Sequence, residues 1–572
     1  MKNKKKFFFL IILIFTTVLT RFYTLENFFI EIDGTISFEK LKYEKIDLYD
    51  IANDKDSSSY NSNLKIYIRE LQSKNNKVID YVQKKFSDII VNLTPSKTST
   101  YAPLQFLIFG WMLNSDQNLD QLKFYSRLPS AIFSILSVII IYFISRKIFK
   151  NNIYLVYLPS VLLTFSYPII FISQKSYNYS AAVFAITLLF YLFLRENSIL
   201  NNKKKFIDNS KIKLNKNFYF SIILALSSYL SYLCLILIPS FFMFKFLKDY
   251  LDKRKFFSYS NYNLFICGLI YSFMILPLLI HMIKLNLQDY GALDASGIND
   301  EYSITGKKGE YIKFFIYNFY LIVIKNLSFF LDSFVGAKIF QLIIFGITML
   351  GLASIFNNKI NRIQKVILLM FIFNLFYWCV LVFFNQTTFG PIRQLLWLTP
   401  LLCIIFTIGI KRINDFLFKS HNLFSMLIIF FITSIFFINY SNFVNYHKEL
   451  FDEKKINNLI SKYNIRYIVS NPTVSQICFM KTIKIKINTC PKRYYRHGYQ
   501  EKFNEKILQD VRKQKGSIAF INYKFTKQNK LDLLNYKFEE LFAIEKVKYL
   551  SGTTPLYVGK QSPNFMRILI YR

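Results

Sequence analysis

The 572-residue chain is 53% apolar and 19% aromatic and carries a formal net charge of +37. Its apolar residues stand in long runs rather than amphipathic stripes, which argues against an ordinary water-soluble globular fold for most of the chain. The cations do not point to nucleic acid: they form short clusters between apolar runs, with no basic-aromatic platform and no nucleic-acid motif, and Lys, Asn, Ile, Phe and Tyr are inflated together, as in an AT-rich coding sequence.

A helix crosses about 30 Å of hydrocarbon with roughly 20 mostly apolar residues. Several runs reach that length. With the cation clusters placed on the inner face, the expected fold is a polytopic α-helical membrane protein of about eleven transmembrane helices with a C-terminal extracytoplasmic α/β domain. Residues 1–440 form the membrane part in this reading and 441–572 the soluble part.

Lys2, Lys4, Lys5 and Lys6 precede an apolar run from Phe7 to Leu19. The pattern resembles a secretory signal, but Thr17-Val18-Leu19-Thr20-Arg21 offers no small-x-small cleavage pair, so an uncleaved anchor is expected over 7–25. It exports a first outer loop, 26–127, within which the short run Tyr101 to Asn114 is re-entrant or interfacial. A span over 128–147 returns to Arg146, Lys147 and Lys150 inside. A span over 154–173 then leads out to a turn with Lys175, and 178–195 leads back to a lysine-rich inner loop.

Residues 217–246 lie between two basic loops and fit a tight hairpin that breaks near Ser227-Ser228. Residues 260–281 go out, an aromatic-rich segment over 311–333 lies at the outer surface, and spans over 338–356, 364–384, 392–410 and 422–440 follow. Lys359, Arg362, Lys365, Lys411, Arg412 and Lys419 then fall inside and the C-terminus outside, in the cell membrane.

The last domain alternates helix-like stretches (452–463, 501–513, 528–535) with β-rich ones (465–470, 482–487, 517–522, 540–549), the pattern of a small α/β sheet. Cys478 and Cys490 are its only cysteines, and an oxidising compartment leaves a disulfide between them open. Cys234, Cys267, Cys379 and Cys403 fall in spans, as apolar packing.

Four histidines, His281, His421, His447 and His497, are scattered and not at metal-ligand spacing, and no phosphate loop, nucleophile elbow or His-Glu-x-x-His is present. What remains is a set of polar residues at outer ends of spans. Glu31 and Asp33 follow the first helix among apolar and aromatic neighbours, where partial desolvation raises carboxylate basicity and suits a general base; the plain alternative is that they solvate a helix end. Arg127, Lys175 and Arg393 run against the positive-inside bias, and a lipid-linked phosphate suits them as well as snorkelling to headgroups does.

Tyr125-Ser126-Arg127-Leu128-Pro129-Ser130-Ala131, continuing to Arg146-Lys147-Ile148-Phe149, resembles a block of the GT-C type glycosyltransferases, the membrane family of protein mannosyltransferases and the aminoarabinose transferase of lipid A. Tyr101-Ala102-Pro103-Leu104 stands where the family has a His-Pro-Pro-Leu-Tyr-like stretch, Arg21-Phe22-Tyr23 where it has Arg-x-Tyr, and Asp33 where it has an Asp-Glu pair, with Gly34 replacing the Glu. Ser173-Gln174-Lys175-Ser176-Tyr177-Asn178-Tyr179 parallels a Ser-Gln-Glu-Ala-Arg-x-Tyr block in which Lys175 and Tyr177 replace the Glu and Arg, and Arg393 through Pro400 echoes a late Arg-Tyr block.

The resemblance implies transfer of a sugar from a polyprenyl-phosphate donor to a lipid, glycan or protein acceptor by inverting displacement on the outer face. Asp33 is then the base, with Glu31 a substitute for the missing acid. Arg127, Lys175, Tyr179, Arg393 and Tyr101 hold the lipid phosphate or the sugar. No nucleotide or redox cofactor is required; a divalent metal stays open, and nucleic acid is not a partner. A transporter or flippase, a polymerase or ligase of surface polysaccharide, and a scaffold anchored in the membrane are the competing readings.

Overall fold

The computed structural model describes residues 2–23, 104, 119–150, 152–174, 179–199, 210–251, 259–287, 311–329, 336–357, 360–383, 392–417, 423–448, 458, 461–463, 465–470, 513, 517–521, 538–547 and 564–571. Of these, 2–23, 104 and 127–441 belong to one compact unit, and 119–126 with those from Asn442 onward to a second.

The first unit is helical. In chain order its helices are α1 (Lys2–Phe22), α2 (Leu119–Ile148), α3 (Ile153–Phe165), α4 (Tyr167–Ser173), α5 (Tyr179–Ile199), α6 (Ser210–Leu230), α7 (Tyr232–Leu251) and α8 (Tyr259–Leu287). Then come α9 (Tyr311–Asn326), α10 (Ala337–Ala353), α11 (Arg362–Phe383), α12 (Thr399–Leu417) and α13 (Leu423–Lys448), with 3-10 turns at Ser354–Phe356 and Ile392–Leu398. Among the described residues four helices are long and apolar enough to cross a membrane, and a fifth span results if α3 and α4 are joined. The chain is thus a helical protein of membrane type.

Packing fixes the relative directions of the first helices. Phe9 meets Tyr157 with ring centroids 5.9 Å apart, and the Thr17 and Thr164 hydroxyls lie 2.9 Å apart, so α1 and α3 run the same way. Tyr142 meets Tyr157 at 5.2 Å, and the Ser160 hydroxyl reaches the Val138 carbonyl at 3.5 Å, so α2 runs opposite to α3. Asn152 starts α3 by accepting the Tyr154 and Leu155 amides at 3.0 and 3.1 Å, the usual side-chain cap of a first turn.

Three of the expected elements differ in the structure. The 154–173 span is two helices bent by 56° at Ser166. The hairpin turns at Ser231 rather than at Ser227-Ser228: those hydroxyls donate back to the Ile223 and Leu224 carbonyls inside α6 and leave its ladder intact. That α6 and α7 do fold back follows from Phe193, whose ring lies 5.6 Å from Phe220 and 4.9 Å from Phe241, since a continuous helix would separate those two residues by about 30 Å. The aromatic-rich segment after Tyr311 is helical to Asn326, and Ile322, Val323, Asn326 and Leu327 are buried. The span expected from 392 begins as a 3-10 turn and becomes α-helical at Thr399.

α10 and α12 approach each other closely. A methyl group built on Gly351 would land on the Ile405 carbonyl oxygen, and one on Gly409 on the Ile347 carbonyl oxygen. Two backbones come this near only where both lack a Cβ, as small residues permit at helix interfaces in membranes.

In the second unit the described residues form a four-stranded sheet of order β1-β2-β4-β3, with β1 Ile465–Ser470, β2 Ser517–Ile521, β3 Phe538–Val547 and β4 Asn564–Tyr571. β1 and β2 are parallel and the other two pairs antiparallel. The parallel pair requires a crossover connection, which the chain between Ser470 and Ser517 supplies. The strand expected over 482–487, most of the helices expected at 452–463, 501–513 and 528–535, and the Cys478/Cys490 pair lie outside the described residues. β4 was not expected.

Gly351→Ala or Gly409→Ala should destabilise the helical unit by about 1–3 kcal/mol, the usual cost of overpacking. Gly346, which has nothing within 4 Å of an added Cβ, is the control: thermal denaturation in detergent should leave Gly346→Ala close to the wild type.

Candidate functional site

The bend at Ser166 has a chemical origin. Pro168 has no N–H, so it cannot donate to the Thr164 carbonyl one turn earlier. The Tyr167 N–H, which would serve Leu163, donates instead to the Ser328 carbonyl at 2.9 Å. Two backbone acceptors are thereby opened inside an apolar bundle, where an unsatisfied carbonyl is costly.

Arg21 of α1 takes both. Its Nη1 donates to the Thr164 carbonyl at 2.7 Å and to the Thr20 hydroxyl at 2.9 Å, its Nη2 to the Leu163 carbonyl at 3.1 Å, and its Nε to the Ser134 hydroxyl of α2 at 3.0 Å. The guanidinium is fully buried. It sits at the C-terminal end of α3, where the helix dipole favours a cation, and its planar fork matches several acceptors at once.

The favour is returned from α4. Gln174, the residue after that helix, donates through Nε2 to the carbonyls of Thr20 at 3.2 Å and Arg21 at 3.5 Å, in the last turn of α1, where carbonyls lack partners within the helix. α1 and the broken α3–α4 span cap each other. The same break is held from a third side: the Ser166 hydroxyl donates to the Asn326 carbonyl at 3.2 Å, and the Thr399 hydroxyl donates to Asn326 Oδ1 at 2.6 Å.

Near this clamp lie α2, α5 and the turn before α12, which carry Arg127, Tyr179 and Arg393 among the described residues. Arg127 opens the apolar span Arg127–Ile148, as expected, within α2, whose helix begins eight residues earlier at Leu119. It is buried, and with Ser130, Ser134 and Ser137, also buried, it forms a polar stripe along one face of α2. Arg127 stands about 10 Å along the axis from Ser134, the residue bound to Arg21.

Tyr179 opens α5 and is partly exposed. Leu104, three residues after Tyr101, packs against a cluster of Phe133 of α2, Ala181 of α5 and Leu230 at the end of α6. Arg393 lies in the 3-10 turn Ile392–Leu398, which packs on α4 and α5, the helices flanking Lys175. That turn is anchored by buried Leu395, Leu396, Trp397 and Leu398, with Trp397 5.7 Å from the Trp378 ring of α11.

Asp33, Glu31, Lys175 and Tyr101 themselves lie outside the described residues. The chain segments flanking them do not: α1 ends eleven residues before Asp33, and Gln174 directly precedes Lys175. Sequence reading alone missed the roles of Arg21, Thr164, Ser134 and Gln174. The signal present was Pro168 inside an apolar run with a lone arginine at the end of another. Among the described residues no group of three or more His, Cys, Asp or Glu could hold a metal ion. Compared with known proteins, the chain matches no family model and no curated protein.

Arg21→Met leaves two buried carbonyls and two hydroxyls without their donor and should destabilise the helical unit by on the order of 3 kcal/mol. Arg21→Lys, which keeps the charge and can still reach the carbonyls, should lose less than half as much, read as melting temperature of the purified protein in detergent.

Proposed function

We propose that this chain is a membrane glycosyltransferase of GT-C type, transferring a sugar from a polyprenyl-phosphate donor to an extracytoplasmic lipid, glycan or protein acceptor. The observation that carries the reading is convergence. Segments far apart in sequence pack together near the α3–α4 break: the end of α1, α2 with Arg127, α4 and α5 on either side of Lys175, and the turn with Arg393, whereas Asp33 and Tyr101 lie outside the described residues. One of them brings a buried arginine at the head of a serine stripe.

In this reading about eleven helices cross the cell membrane, and the α/β domain over 441–572 and the loop over 26–127 lie outside. The acceptor hydroxyl attacks the anomeric carbon as Asp33 takes its proton, the bond from that carbon to the phosphate oxygen breaks with its electron pair, and polyprenyl phosphate leaves. Arg127, Lys175 and Arg393 stabilise the negative charge on the departing phosphate. Glu31 assists or replaces Asp33, and Tyr179 and Tyr101 line the sugar.

The broken helix favours a second reading, a transporter or flippase, because discontinuous spans expose carbonyls that coordinate cargo ions. Against it, the two carbonyls opened here are occupied by Arg21.

The deciding experiment compares surface-glycan composition in a strain lacking the gene and in the same strain complemented with wild type or Asp33→Asn at equal membrane abundance. A sugar that disappears and returns only with wild type is expected. Restoration by both forms removes Asp33 as the base, and an unchanged glycan in the deletion strain removes the glycosyltransferase.

A further inference from the structure

We propose that the end of the helical unit away from the clamp is a docking surface for anionic phospholipid, its headgroups gathered by Arg146, Lys150, Lys411 and Arg412 and an acyl chain laid along Leu136 and Phe143 of α2. Neither the surface nor its test rests on the glycosyltransferase reading.

α3 brings the ends of its neighbours to one level. Tyr142 meets Tyr157 and Ser160 meets Val138, so four residues beyond Tyr142 on α2 Arg146 stands level with Ile153, the first residue of α3. On α12 the reference point is Thr399, which shares Asn326 with Ser166 at the far end of α3. α12 packs along α3. Thirteen residues on from Thr399 and thirteen back from Ser166, about 20 Å at the helical rise, Arg412 and Ile153 are level as well. Phe9 with Tyr157 and Thr17 with Thr164 set the same scale for α1, whose lysine-rich first turns begin beside that level. Cation clusters far apart in the sequence, all expected on the inner face, thus share one height.

Arg146, Lys150 and Arg412 are exposed and Lys411 is half-buried. Among the described residues none of these four is in an ion pair. Lys147 adds a cation at the same level, its Nζ 4.7 Å from the ring centroid of Tyr191 of α5, and the exposed Asp415 lies one turn beyond Lys411. Positive charge is left in excess. Because Asn152 already accepts the first free amides of α3, those of Tyr154 and Leu155, the attraction comes from side-chain cations rather than from the helix terminus.

Lipid fits this surface because apolar side chains lead up to the charge. Leu136, Phe143 and Arg146 stand seven and three residues apart on one face of α2, and Leu136 and Phe143 are 36% and 41% exposed. An acyl chain on that face ends at the guanidinium, whose fork matches a phosphate. A soluble phosphate would gain nothing from Leu136 or Phe143. A zwitterionic headgroup would bring an ammonium among like charges, whereas each basic residue near a headgroup surface favours anionic lipid by about fivefold.

Phe143→Trp places a fluorescent reporter beside the cations. The full chain is reconstituted in phosphatidylcholine vesicles with rising fractions of chain-brominated phosphatidylglycerol or, as reference, chain-brominated phosphatidylcholine, and the fluorescence of the unaltered chain is subtracted. Half-quenching is expected at a mole fraction at least about fivefold lower for the anionic lipid. The difference should shrink to less than about twofold when Arg146→Gln, Lys150→Gln, Lys411→Gln and Arg412→Gln are combined. Arg146→Lys with Arg412→Lys keeps the charge and should keep the preference, and raising the salt concentration should weaken it without any further substitution.

Equal quenching by the two lipids overturns the docking surface. A preference that survives both the four glutamines and high salt places the anionic lipid elsewhere and overturns it too. Loss of the preference on adding glycerol phosphate at fixed ionic strength would make a soluble phosphate the occupant and overturn the lipid. Should the glutamine variant fail to fold, the charge-keeping variant and the salt dependence decide alone.

Discussion

A proline in an apolar span deprives one carbonyl of its donor, and in a bundle that excludes water that carbonyl must find another. Here the donor is a buried arginine from a different helix. Pro168 opens Thr164, the diversion of the Tyr167 amide to Ser328 opens Leu163, and Arg21 closes both. The bend, the burial of a cation without a carboxylate partner among the described residues, and the joining of α1 to α2 and α3 are one arrangement. A charge in such a place is stabilised by carbonyl dipoles at a helix C-terminus, and it stays satisfied because the guanidinium presents donors in several directions at once.

This arrangement joins α1, α2 and the α3–α4 break at one level of the helical unit. The α10–α12 contact contributes in the same way from the far side: Gly351 and Gly409 let α12 sit deep among its neighbours, and the start of α12 meets the break through Thr399 and Asn326.

Much of this architecture is legible in the sequence, because helix length against bilayer thickness and the placement of cations are strong constraints. The described helices fall on the apolar runs, and strands appear at three of the four β-rich stretches, the remaining one lying outside the described residues. Misreadings arose where local chemistry outweighs pattern. Two adjacent serines look like a helix break, yet hydroxyls that bond back to carbonyls one turn earlier are accommodated within a helix, so the turn moves to Ser231. Pro168 looks no different from Pro159 in an apolar run, but α3 continues through Pro159 and ends before Pro168. What distinguishes them is the availability of Arg21 and Ser328, partners distant in sequence. β4 is harder to read from the sequence because its core, Met566-Arg567-Ile568-Leu569-Ile570, does not alternate in polarity. The site was legible only as separate fragments; that α1, α2, α4, α5 and the turn before α12 come together depends on hydrogen bonds that no spacing rule encodes.

The central claim is that Arg21 is buried because Pro168 opens the span, and a double-mutant cycle tests it most directly. Pro168→Ala restores an N–H to the Thr164 carbonyl, so it should relieve part of the need for the guanidinium. Unfolding free energies of wild type, Arg21→Met, Pro168→Ala and the double variant would be compared in detergent. The account predicts that Arg21→Met costs less in the Pro168→Ala background, by about 1 kcal/mol or more, as for residues within one hydrogen-bond network. Additivity within about 0.5 kcal/mol would mean that the arginine and the break are independent, and would contradict it.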